Sequence, residues 1–176
     1  NPERFQKFKV SRLKDINLNF GIANKNTRIN FFRFEPESLS TFSKKVAKNY
    51  QKQGFNLTEV LNIKVHKLGD VFKKYHKNKV IDFFSIDTEG FDLEVLKSNN
   101  WKEFKPKIIC IEISSFENPN HGNPRRKLPD ATRKLLDKLG YKKVCKTPSN
   151  HIYQLKEGIL DFDQQIKKSN IAIIAH

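Results

Sequence analysis

Methionine is missing altogether from these 176 residues, and the chain opens on Asn1. No signal or transit peptide can be read at its start, and the expectation is that the natural protein begins upstream of Asn1. Cysteine occurs twice, at Cys110 and Cys145, each within an apolar strand-like run and far from the other. With neither a C-x-x-C pair nor a Cys/His cluster, the pattern predicts a reduced, cytoplasmic protein without structural zinc. No apolar run approaches the ~20 residues of a membrane span. The longest, residues 108–113, is strand-sized. Glycine is sparse as well: seven residues, at 21, 54, 69, 90, 122, 140 and 158, each isolated from the next, so the chain holds no glycine-rich loop.

What it does hold is positive charge. The 34 Lys and Arg against 19 Asp and Glu give a formal net charge of +15. Such a balance suits an anionic partner, nucleic acid included. Yet the lysines are scattered, and the only compact basic run is Arg125-Arg126-Lys127, so a compositional habit explains the charge better than a nucleic-acid interface. The length fits one domain, and neither an internal repeat nor a composition break divides it.

Along the chain, Pro2 and Glu3 open a short helix. Residues 16–20 alternate apolar and polar, residues 27–34 are β-branched and aromatic, and the two predict a hairpin. The polar, basic excursion 35–54 predicts a loop and a helix over 42–50, the kind of insertion that carries substrate contacts. A strand over 60–67 and a helix over 69–75 follow. Residues 80–86 and 108–113 are nearly continuous apolar runs, the pattern of strands buried on both faces of a parallel sheet. The helical spacing of Phe91, Val95 and Leu96 between them makes a βαβ unit. A helix over 130–139, stopped by Gly140, leads to strands 141–146 and 151–155, whose short link predicts an antiparallel hairpin. A final apolar run covers 171–175.

Between residues 83 and 97 the sequence reads FFSIDTEGFDLEVLK. Asp87 and Glu89 thus fall at the carboxyl end of one parallel strand, and Glu112 at the end of the next. In an open α/β sheet ligands bind at that rim. His121 and His151 are loop or hairpin histidines on the same side. The bland alternative is that Glu89 and Asp92 only complement the helix dipole, worth ~0.3–1 kcal/mol.

The segment IDFFSIDTEGFDLEVLKSNNW, followed by KPKIICIE, resembles the FkbM-type methyltransferases, in which an I-D-x-E-G box precedes a P-x-I-I-x-x-E strand. NPERFQKF, LNFGIAN and GYKKVCKTPSNHIY are similar to other segments of that family in the same order, so the resemblance covers most of residues 1–156. It implies an α/β fold: a Rossmann-like class I methyltransferase sheet ending in an antiparallel hairpin, as one domain. It implies S-adenosylmethionine as cofactor and a sugar, glycan or related small molecule as hydroxyl acceptor. Asp87, with Glu89 and Glu112, would orient or deprotonate the acceptor, and Gly21, Ile22 and Ala23 would lie near the adenine. Some class I O-methyltransferases hold Mg²⁺ with carboxylates at such places.

The chain departs from that family in lacking the glycine loop and the strand that ends in an acidic residue for the ribose. A missing βαβ unit amounts to ~30 residues or more. The chain is therefore expected to be N-terminally truncated, with its sheet split or completed by another chain and its cofactor affinity poor. Two other classes stay open: a metal-dependent nuclease on Asp87, Glu89 and Glu112, and a non-catalytic basic binding module.

Overall fold

The computed structural model describes residues 2–76, 80–113, 129–156 and 171–173. It is a mixed α/β molecule with two sheets. After helix α1 (Pro2–Ser11) come β1 (Gly21–Ile22), β2 (Thr27–Glu35), a 3₁₀ turn (Glu37–Leu39), α2 (Lys44–Lys52) and β3 (Asn56–His66). Then follow α3 (Leu68–Tyr75), β4 (Phe83–Ile86), α4 (Asp92–Lys97), β5 (Ile108–Glu112), α5 (Asp130–Lys138), β6 (Tyr141–Lys146), β7 (Asn150–Leu155) and β8 (Ile171–Ile173).

The smaller sheet has the order β1-β3-β2. β3 runs antiparallel to β2 from Thr27↔Val65 to Glu35↔Asn56 and parallel to β1 through Gly21↔Val65. This corrects two expectations. The first strand is a two-residue piece at Gly21–Ile22 rather than 16–20, and it makes no hairpin with β2 because β3 lies between them. The physical reason is length: β2 and β3 offer nine and eleven residues to one another, and short β1 is left with the free edge of β3. Within the excursion, Ser43 caps α2 by accepting the Val46 N–H at 3.3 Å. Val46, Ala47 and Tyr50 then form the buried stripe of that helix, at one-turn spacing, against Phe34 of β2.

The larger sheet has the order β6-β7-β5-β4-β8. β4 and β5 are parallel (Phe83↔Ile108 to Ile86↔Ile111), joined through α4, and β6–β7 is the predicted antiparallel hairpin, added to β5. The final run supplies β8, parallel to β4 with Phe83↔Ile171 and Ser85↔Ile173. Phe84 and Ile86, Ile109 and Ile111, and Tyr153 project to one face and meet Leu68, Phe72, Val95, Leu96, Phe104 and Leu136 in the main core. Tyr141 closes that core and donates its hydroxyl to the Pro106 carbonyl at 2.6 Å. The opposite face carries Phe83, Ser85, Cys110, Glu112 and Ile152, half-buried, with Ile108 and Gln154 buried at the start of β5. The strands are thus buried less completely on this face than on the core face, where their apolar runs suggested burial on both. Alternation is restored by position, since an uninterrupted apolar run carries no period from which a face could be read.

Candidate active site

Because β4 and β5 are parallel and in register at Ile86↔Ile111, Asp87 and Glu112 follow as the next pair at the carboxyl ends of their strands, on the half-buried face. Glu89 joins them from the turn into α4. The three carboxyl groups bring one oxygen each within 4.8 Å of one another. Glu112 shares a side-chain hydrogen bond with Asp87, and one of its oxygens, Oε2, is buried without a hydrogen-bond partner among the described residues.

The turn itself has a local logic. Asp92, buried in the first turn of α4, accepts both the Thr88 N–H (3.1 Å) and the Thr88 hydroxyl (2.9 Å). Asp92 therefore braces the turn ahead of α4, whose N-cap position, Phe91, carries no side-chain cap. Glu89 and Gly90 are both left-handed, with φ of +48° and +82°. For a residue with a Cβ that conformation costs about 1–2 kcal/mol. Glu89 is held there from the excursion: its carbonyl accepts the Thr41 hydroxyl at 2.9 Å, and its carboxyl accepts the Tyr50 hydroxyl at 3.4 Å.

Crowding sets the protonation of this edge. Burial first, then the Asp87 and Asp92 charges, push Glu89 up to about 7, with the Tyr50 hydrogen bond opposing. Burial, the neighbouring Glu89 and Asp87 charges and the hydrogen bond with Asp87 push Glu112 further, to about 9. At neutral pH Glu112 thus holds its proton and donates to Asp87, while Glu89 is close to half-protonated. Such a set can accept a proton, share one, or present oxygens to a hard divalent cation.

Other expected participants lie elsewhere. His151 pairs with Ile111, one rung before the Glu112↔Asn150 pair, so it projects to the face opposite Glu112. It is 2% exposed, with both ring nitrogens unpartnered among the described residues, and burial followed by Lys143, Lys146 and Arg133 lowers it to about 4. A neutral imidazole sealed in that face cannot serve the acid edge. His121 and Arg125-Arg126-Lys127 lie outside the described residues.

Gly21, Ile22 and Ala23, expected near an adenine, are packed closely by this chain's own residues. A Cβ on Gly21 would stand 2.6 Å from Phe42 Cζ and 2.9 Å from Val65 Cγ1, so Phe42 already occupies that face. Ile22 packs against the main core, and Ala23 is buried, its N–H donating to the His66 carbonyl at 2.9 Å. A polar pocket of about 360 Å³ does open beside Asn24, between α3 and the end of α4, lined by Lys67, Asp70, Lys73 and Asn99 among others, but it includes none of the three carboxylates.

Sequence reasoning missed Thr41 and Tyr50. Their only signal was the length of the excursion that carries them. Compared with known proteins, residues 1–143 match the family described as Methyltransferase FkbM domain. No curated protein and no solved structure matches the chain.

Proposed function

Because the chain belongs to the methyltransferase FkbM domain family, we propose that it supplies the acceptor side of an S-adenosylmethionine-dependent O-methyltransferase acting on a hydroxyl of a sugar, glycan or related small molecule. One observation carries the reading: three carboxyl groups converge at the carboxyl ends of two parallel strands, where such sheets bind ligands. Methylating a hydroxyl asks a protein to hold the oxygen in line and to take its proton. Asp87 is the residue assigned to both tasks. Glu112, protonated and hydrogen-bonded to it, fixes the Asp87 carboxylate and offers its other oxygen to a neighbouring hydroxyl. Glu89 completes the edge and can receive the proton next. A divalent ion held by Asp87, Glu89 and Glu112 would add Lewis-acid activation of the hydroxyl.

The cofactor side is not supported in the same way. Phe42 fills the space at Gly21, and the isolated glycines provide no loop for the methionine end. We therefore expect this chain by itself to bind S-adenosylmethionine weakly, and micromolar affinity in a calorimetric titration would contradict that. The activity test is transfer of labelled methyl from S-adenosylmethionine, at concentrations high enough to offset weak binding, to a panel of sugars and glycans. Transfer is expected, with Asp87→Asn lowering it at least about 100-fold, the scale of a positioned acid–base group. No transfer to any hydroxyl overturns the reading. Salt-dependent nucleic-acid binding that survives Asp87→Ala would favour a non-catalytic basic module instead.

A further inference from the structure

The excursion between β2 and β3 does more than cover the small sheet. Thr41 is 1% exposed and is fixed from both sides of its backbone: its N–H donates to the Phe32 carbonyl at 3.0 Å, and its carbonyl accepts the Phe32 N–H at 2.8 Å. Its hydroxyl accepts the Ser43 N–H at 3.0 Å. That leaves the hydroxyl proton for a single acceptor, the Glu89 carbonyl at 2.9 Å. Three residues past this bridge α2 begins, and Tyr50 on its buried stripe reaches the Glu89 carboxyl. Phe42, between Thr41 and Ser43, lies with its ring 5.8 Å from that of Phe91, tilted by 45°, and Phe91 is the residue that follows the left-handed pair.

We propose that Thr41 and Tyr50 are positioning residues for the acid edge, Thr41 holding the Glu89 peptide in its left-handed turn and Tyr50 aiming the Glu89 carboxyl at Asp87 and Glu112. The inference deepens the methyltransferase reading of this edge and rests on it for the use of Glu89, but the geometry concerns this chain alone. The two contacts divide the work by atom. A left-handed residue with a side chain relaxes towards an ordinary conformation unless its surroundings hold it, and among the described residues the Thr41 hydroxyl is the side-chain group that holds the Glu89 carbonyl. A glutamate side chain in a turn samples several rotamers unless a partner selects one, and the Tyr50 hydroxyl is a neutral donor to the Glu89 carboxyl among the described residues.

The test reads Glu89 by NMR on the isolated chain, with neither cofactor nor acceptor present. In Thr41→Val, which keeps the shape and removes the hydroxyl, the HN–Hα coupling and carbonyl carbon shift of Glu89 are expected to leave their wild-type values. Thr41→Ser should restore them. In Tyr50→Phe the Glu89 backbone values should stay, while its Hα–Hβ couplings average from one rotamer to several and the amide shifts of α2 do not move. A folded Thr41→Val with unchanged Glu89 backbone values overturns the role of Thr41, and a single retained Glu89 rotamer in Tyr50→Phe overturns that of Tyr50. Should Thr41→Val not fold, loss of the wild-type Glu89 values in Thr41→Ser counts equally against the proposal. These outcomes are independent of whether methyl transfer is found, so failure here and failure of the enzymatic reading can be told apart.

Discussion

Glu112 and His151 lie on neighbouring rungs of the β5–β7 ladder, on opposite faces, and they answer pH in opposite senses. Glu112 is raised by burial and by its acidic neighbours, so its contribution to stability is full below its ordinary value near 4.5 and is lost as pH climbs towards 9. Glu112→Gln keeps a donor for Asp87 and removes the titration. Its urea midpoint is expected to rise above wild type with increasing pH through 7 to 9 and to differ little at pH 4. Parallel wild-type and variant curves would refute the crowding account. His151 is depressed by burial, so its contribution is present above about 6.5 and is lost as pH falls towards 4. His151→Leu should flatten that acid limb, again in urea midpoints. The three carboxylates could be gathered from sequence because Asp87 and Glu112 follow apolar runs, with Glu89 two residues beyond Asp87, and the strand-end rule places such residues together. Thr41 and Tyr50 could not, being 48 and 39 residues from Glu89 with no motif between.

Among the elements, those whose partners are adjacent in sequence were legible. The β4-α4-β5 unit and the β6–β7 hairpin formed as their patterns predicted, because a short link or an intervening helix leaves little choice of neighbour. The β1-β3-β2 order was hidden because alternation identifies a strand without naming its partner, and α2 separates β2 from β3. The same elements differ in what holds them. α2 is a short, lysine-rich helix whose start depends on Ser43, and Ser43→Ala is expected to cost about 1 kcal/mol. Ile109, fully buried in the centre of the main core, should cost about 2–5 kcal/mol as Ile109→Ala. Chemical denaturation of the two variants checks both values, and equal losses would mean that α2 contributes more than its cap.

Across the molecule the larger sheet is finished by the chain's own last described strand. β8 covers the β4 edge that the split sheet would otherwise leave bare, an edge prone to pairing with other chains. A chain ended at Lys156 is expected to exchange its β4 amides faster and to self-associate at concentrations where the full chain is monodisperse, as hydrogen exchange and light scattering would show. Unchanged exchange in β4 would mean that β8 adds nothing to that strand. The smaller sheet meets the acid edge through Phe42, whose ring sits in the space at Gly21 on one side and against Phe91 on the other. A ligand could take the place beside Gly21 only by lifting that ring, and Phe42 is bonded to Thr41. If displacing the ring also disturbs Thr41, occupancy there and the conformation of Glu89 are linked, and the linkage is reciprocal: a ligand beside Gly21 would loosen Glu89, and whatever fastens Glu89 would weaken binding at Gly21 by the same factor.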